Sequence, residues 1–351
     1  MEKKITFHEQ TDIHNTLRLR EVLSTLPPFC RDYFRAIDAT TTTRTRISYA
    51  YDIRIFFQFL IDSNPAFKDR STRDFDVSVL DQVKALDIEE FQEYLKVYHN
   101  GDKLETNGER GVKRKLSALR SFYAYYFKRE MIQTNPAVLV DVPKIHDKNI
   151  IRLDADEVAS LLDYIEHCGD TLTGQKRVYY EKTKERDLAI ITLLLGTGIR
   201  VSECVGLDIE DVDFKNNGIK VTRKGGNEMV VYFGEEVEKT LKKYLTVREG
   251  ITPLAGHEHA LFYSTQRRRI GVQAVENLVK KYARQVTTTK KITPHKLRST
   301  YGTALYQETG DIYLVADVLG HKDVNTTKKH YAAMDDARRR KAASAVKLRE
   351  P

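Results

Sequence analysis

The stretch DLAIITLLLGTGIRVSE, residues 187–203, sets the reading of the whole chain. From Leu188 to Leu195 it is almost unbroken apolar, with no proline or glycine, which fits a helix buried on every side. Gly196-Thr197-Gly198 then stops that helix, because glycine adopts the left-handed cap conformation without steric cost. Arg200 follows the stop at once. Glu203, three residues on, is placed to hold either the guanidinium or the N-terminus of a new helix. A helix cap followed by an ordinary surface arginine is the plainer reading, and the motif alone leaves both open.

Working outward, Asp154-x-x-Glu157 is a capping pattern ahead of Val158, Leu161 and Leu162. Gly169 to Glu185 is polar and reads as a loop leading into the buried helix. Ile219 and Val221, then Val230 to Phe233, alternate like strands about Lys224-Gly225-Gly226-Asn227, a hairpin with a glycine turn. Helices are expected at about 235–248, 272–285, 294–308 and 311–319, followed by a basic tail with Arg338 to Lys341. Upstream, Asn135-Pro136 and Pro143 break the chain, so residues 141–150 read as a linker. Before it, Tyr49, Ile53, Phe56, Phe57 and Leu60 recur at helical spacing, and Val83–Tyr98 and Val112–Phe127 read as two further helices. The fold expected is mainly α: residues 1–30 an extension ending at Pro27-Pro28, 31–142 an all-helical domain, and 151–351 an α+β domain with a small antiparallel sheet.

At 351 residues the chain is long enough for two cores. No apolar run approaches the roughly 20 residues that span a bilayer, and Met1-Glu2-Lys3-Lys4 opens no secretory signal, so no membrane partner is expected. Cys30, Cys168 and Cys204 are dispersed with no CxxC pair, which fits a reducing cytoplasm rather than a disulfide framework. The balance of 58 basic and 50 acidic residues points weakly to a polyanion. Its distribution points further. Arg110 to Arg129 holds seven basic residues and no acid, and Arg267 to Arg298 holds ten against Glu276 alone. A charge run is ordinarily a solvated helix face, but one such window in each expected domain suits a clamp on nucleic acid. The aromatic set Phe122, Tyr123, Tyr125, Tyr126 and Phe127 follows the apolar stripe, so it is read as packing rather than base stacking.

Polar groups that a plain core would not need gather at four places. One is the Arg200–Glu203 turn. Another is Lys224, which a hairpin turn exposes in any case. The third is Thr293-Pro294-His295-Lys296-Leu297-Arg298, a helix start where His295 and Arg298 share a face near free N–H groups that favour an anion. The fourth is Leu319-Gly320-His321, ten residues before Tyr331. Metal readings fail on spacing, since His257-Glu258-His259 is not HExxH. Walker, GxGxxG and GxSxG patterns are absent, so neither nucleotide hydrolysis nor a common serine hydrolase is indicated.

In that order and spacing, GTGIRVSE, TPHKLR and LGHKDVNTTKKHY resemble the tyrosine recombinases, the phage integrase and Xer-like DNA strand-exchange enzymes. The resemblance covers the second domain throughout and extends to the first, which is similar to the family's helical core-binding domain. It implies a DNA clamp and Arg200, Lys224, His295, Arg298 and His321 as the phosphate-activating site, with Glu203 in support and Tyr331 as nucleophile. Tyr331 follows His321 by ten residues, as in phage- and transposon-type integrases, whereas many Xer-type members use nine, where His330 stands here. Double-stranded DNA with an inverted-repeat site, a homotetramer on two sites and an accessory regulatory protein are the partners the family suggests. No cofactor is implied.

The chemistry agrees. Two arginines neutralise the nonbridging oxygens as the pentacovalent phosphorus forms. A histidine helps take the proton of a tyrosine whose pKa is about 10, and a lysine protonates the leaving 5′ oxygen. The phosphotyrosyl bond conserves the energy of the diester. Tyr301, three residues beyond Arg298, is the competing nucleophile, while Tyr306 and Tyr313 read as core or capping residues and Tyr263 as a buried turn or strand. Candidates for reading DNA are Arg114, Lys115, Arg120, Arg267, Arg268, Lys280 and Arg284. Ala332, Ala333 and Ala342 to Val346 suit either a helix docking on a neighbouring protomer or a frayed tail on DNA. A type IB topoisomerase and a non-catalytic DNA-binding protein are the competing functions.

Overall fold

Helix-forming stripes and explicit caps determine most of the architecture. This computed structural model describes residues 6–146, 150–223, 226–321, 323, 324 and 327. It divides into two compact units, Met1–Lys148 and Asn149–Pro351.

The first unit runs α1 (Phe7–Leu23), α2 (Cys30–Ala36), α3 (Thr43–Ser63), α4 (Val79–Gln82), α5 (Ala85–Tyr94), β1 (Val97–Asn100), β2 (Lys103–Thr106) and α6 (Glu109–Lys128). Its core is aromatic: Phe56, Phe57, Phe91, Phe122, Tyr123 and Tyr126 are fully buried. The rings meet edge to face, Phe56 on Phe91 at 5.2 Å and Tyr126 on Phe122 at 5.0 Å, a geometry that aligns ring edge with ring face. The α6 aromatics therefore serve packing, as their spacing indicates. Three expectations fail. The unit is not all-helical, because the helix expected to reach Tyr98 ends at Tyr94 and the chain turns at Gly101-Asp102 into an antiparallel hairpin, Val97 opposite Thr106. Nor do residues 1–30 form an extension. Thr6 and Glu9 close a capping box at the start of α1, and Leu19, Val22 and Leu26 enter the same core as Phe56 and Phe122. Pro27-Pro28 merely turns the chain between two packed helices.

The second unit runs α7 (Ala155–His167), α8 (Gly174–Thr197), α9 (Val201–Gly206), β3 (Val212–Asp213), β4 (Gly218–Thr222), β5 (Glu228–Tyr232), α10 (Glu235–Glu249), α11 (Val272–Val286), α12 (Pro294–Thr309) and α13 (Ile312–Leu319). The three strands pair antiparallel in sequence order, with Lys220 opposite Val230. Helix α8 is central, packed by α7, α10, α11 and α12, and its residues Leu188 to Leu194 are buried throughout. The expected loop at 169–185 is for the most part the solvated first half of this helix. Between Gly174 and Tyr179 almost every side chain is exposed, so no apolar stripe marked the segment as helical.

Candidate functional site: an arginine cluster at a helix end

Helix α8 stops at Gly198, whose φ is +63° and whose backbone N–H donates to Leu194 O at 3.1 Å. A Cβ at this position would lie 2.3 Å from the Tyr301 ring and 2.9 Å from Leu319, so only glycine fits. The tight turn sets Arg200 as the N-cap residue of α9. Glu203 then serves both parts its spacing allows: Oε2 accepts the Arg200 N–H at 2.8 Å, and Oε1 accepts from the guanidinium at 2.7 Å. The carboxylate is buried while Arg200 is about a third exposed (37%), so the pair holds the arginine at the surface.

Helix α12 carries His295 and Arg298 one turn apart. His295 is exposed, whereas Arg298 is 4% exposed and reaches across the unit. Its Nη1 donates to Gly198 O at 2.5 Å and its Nη2 to Leu319 O. One guanidinium thus ties the end of α8 to the end of α13. Carbonyl acceptors orient an arginine without cancelling its charge, and a guanidinium has five donors in all.

Helix α13 ends at Gly320, φ +63°, in the same left-handed cap. The last carbonyls of a helix lack intrahelical donors and carry its negative dipole end, and here three arginines take them. Arg223 donates to Asp317 O at 3.3 Å and Val318 O at 2.7 Å, Arg298 to Leu319 O, and Arg200 to Gly320 O at 3.3 Å. His321 follows directly, half-buried, with Nδ1 2.7 Å from the hydroxyl of the buried Thr327.

Arg200, Glu203, Arg298 and His321, up to 121 positions apart in sequence, therefore meet at one corner. Lys224 and Tyr331 lie outside the described residues, as do the apolar groups of the basic tail. Two residues of the corner escaped the sequence reading. Arg223 has no helical motif around it, and Thr327 sits unremarked inside LGHKDVNTTKKHY. Tyr301 packs against Val315 and Leu319, and burial pushes its hydroxyl pKa up, the wrong direction for a nucleophile. Tyr306 is partly buried in that cluster, and Tyr263 is buried. Tyr313, expected in the core or as a cap, is instead 71% exposed, and the cap is the Asp311 side chain.

The candidate DNA-reading side chains divide in two. Lys115 is buried with its ammonium 2.9 Å from Asn107 Oδ1, and burial pulls its pKa down. Arg120 donates to the carbonyls of Ala137 and Val140, and Arg114, though half exposed, pairs with the buried Asp52. These three are tied into their own unit. Arg267, Arg268, Lys280 and Arg284 are exposed.

Among the described residues there is no group of His, Cys, Asp and Glu able to hold a metal, and no helix long and apolar enough to cross a membrane. The family model for the phage integrase family matches residues 151–338. The chain is 32% identical over 341 residues to the tyrosine recombinase XerS of Lactococcus lactis subsp. cremoris (strain MG1363), covering 90% of this chain and 93% of the relative. It is also 32% identical over 332 residues to the tyrosine recombinase XerC of Caldanaerobacter subterraneus subsp. tengcongensis, covering 91% and 86%. Its fold is similar to that of the XerH site-specific recombinase bound to difH substrate, with a TM-score of 0.59, 21% identity, and 86% and 79% of the two chains covered. The Tn1549 transposon integrase in complex with circular intermediate DNA gives a TM-score of 0.62 at 22% identity, covering 86% and 94%.

Proposed function

The chain belongs to the phage integrase family of tyrosine recombinases, and from that premise we propose that it cuts and rejoins DNA at specific sites through a 3′-phosphotyrosyl intermediate. The observation that carries this reading is the meeting of Arg200 and Arg298, from distant parts of the chain, on the C-terminal carbonyls of one helix beside His321. Two guanidiniums fixed side by side match the two nonbridging oxygens of a phosphodiester, and they cannot lose their charge near neutral pH.

In the forward step the Tyr331 oxygen attacks phosphorus. Its proton passes to a neighbouring base, for which His295 or His321 is suited. Negative charge that builds on the equatorial oxygens is met by Arg200 and Arg298, already oriented and needing no reorganisation. As the P–O5′ bond breaks, the 5′ oxygen takes a proton from Lys224. The phosphotyrosyl bond retains the free energy of the diester, so attack by a 5′ hydroxyl reverses the step and joins a strand without ATP. Glu203 acts on Arg200, not on substrate. The further proposal is that double-stranded DNA with an inverted repeat is bound by both units, and that four copies act on two sites in the cytoplasm. The exposed Arg267, Arg268, Lys280 and Arg284 would supply phosphate contacts, which position DNA but carry no sequence information.

The test is covalent trapping on nicked duplexes drawn from the DNA flanking the gene, in EDTA, with the parent protein and Tyr331→Phe. A DNA-linked species that the substitution abolishes is the expected result. Persistence of that species in Tyr331→Phe would move the nucleophile elsewhere.

A further inference from the structure

The third arginine on the end of α13 belongs to none of the motifs that single out Arg200 and Arg298. Arg223 is the residue that follows β4, and its backbone closes the hairpin turn. Its N–H donates to Asn227 O at 2.8 Å, and its carbonyl accepts from Gly226 N at 3.0 Å. Its side chain leaves the hairpin altogether and ends on the Asp317 and Val318 carbonyls. The fit over Gly320 is close: a Cβ there would fall 1.6 Å from Arg223 Nη1, so the cap must be glycine for the guanidinium to pass. Arg223 is partly buried, and its Nε is buried with no partner among the described residues. A surface lysine or arginine at a hairpin turn ordinarily stays in water. This one is drawn inward by carbonyls at the negative end of a helix, of which Asp317 O also accepts the Gly320 N–H at 2.8 Å.

We propose that Arg223 is a positioning residue that locks the β4–β5 turn to the Gly320–His321 corner. Lys224 is its immediate neighbour in sequence. The residue that precedes the lysine is therefore fastened to the same helix end that orients Arg200 and Arg298. The clamp sets the spacing between the group that protonates the leaving oxygen and the groups that hold the phosphate. That chemical role rests on the recombinase reading above, whereas the clamp itself does not.

Two measurements separate those parts. Amide hydrogen exchange follows the turn through Arg223 and Gly226, and the corner through Gly320 and His321, whose N–H groups are bonded in the structure. In Arg223→Met both pairs are expected to exchange on the order of tenfold faster together, and Arg223→Lys to recover part of the protection. Gly320→Ala, which displaces the guanidinium without removing it, should act alike and serves if Arg223→Met does not fold. Faster exchange confined to one pair would overturn the clamp.

The second measurement compares cleavage of a nicked duplex carrying the ordinary bridging 5′ oxygen with one carrying bridging 5′ sulfur. The oxygen must gain a proton as the bond breaks, whereas a thiolate, whose conjugate acid has a pKa of about 8.5, departs with the electron pair alone. Arg223→Met is expected to slow the oxygen duplex on the order of 100-fold, and to cleave the sulfur duplex within about threefold of the parent rate. Equal slowing on both duplexes would show that Arg223 acts through phosphate charge or general stability, and the positioning role would fall. If the parent protein forms no adduct with either duplex while both amide pairs still respond together, the recombinase reading fails and the clamp stands.

Discussion

Replacing Gly198 by alanine tests whether the corner depends on close packing or only on backbone shape. Gly198 has φ +63°, and the added Cβ would sit 2.3 Å from Tyr301 Cδ1 and 2.9 Å from Leu319 Cδ2, where ordinary contact begins at 3.4 Å. Gly256 is the matched control, with φ +82° and nothing within 4 Å of an added Cβ. Alanine in the left-handed region costs about 1–2 kcal/mol at either position. Overpacking adds about 1–3 kcal/mol at Gly198 alone. Gly198→Ala should thus be about 2 kcal/mol less stable than Gly256→Ala. For a unit of this size that is a difference of roughly 4–8 °C in Tm. Because Gly198 O also anchors Arg298, DNA cleavage should fall in Gly198→Ala and stay near the parent rate in Gly256→Ala. The assays are urea unfolding and calorimetry on both variants, with Tyr301→Leu added to each to complete a double-mutant cycle. Relief of the penalty by Tyr301→Leu at position 198 but not at 256 is the expected pattern. Equal destabilisation of the two glycine variants would refute the packing argument.

Glu203→Gln keeps an acceptor for the Arg200 N–H but loses the buried ion pair, so a cost of about 1–3 kcal/mol is expected with slower cleavage. Unchanged cleavage kinetics would show that Arg200 is oriented by Gly320 O alone. Lys290 donates to Asp154 and Glu157, and holds the Asp154 carboxyl below its usual 3.8. With the folded value depressed, this stabilisation is present above pH 3.8 and lost as pH falls through the folded value. The pair is largely solvent-screened, so Lys290→Ala should cost under about 1 kcal/mol near neutrality and nothing in strong acid. A cost that persists at low pH would contradict the assignment. Lys115→Met should change stability without altering the salt dependence of DNA binding, whereas Arg284→Ala should lower the salt slope by about 1. Titrations of binding against salt decide between these, and the opposite pattern would return Lys115 to the DNA surface.

Some of this molecule is plain from one line of residues, and some is not. Apolar stripes placed α3, α6, α10, α11 and α12 to within a few residues, because a helix that buries one face must repeat about every 3.6 residues. The glycines of GTG marked the end of α8 for an equally local reason. The same logic failed where burial was even, as in the solvated start of α8, or where a short hairpin interrupted an apolar run at Val97. Arg200, Glu203, Arg298 and His321 were legible as polar groups that a plain core would not need, and they do meet at one corner. Their supports were not. Nothing local indicates that Arg298 ends on Gly198 O and Leu319 O, that Arg223 crosses from a strand to Asp317 and Val318, or that Lys115 is buried beside Asn107. Side-chain type and spacing follow from short-range rules written along the chain. Which distant carbonyl a guanidinium finds depends on where other helices come to end, and only the packed core decides that.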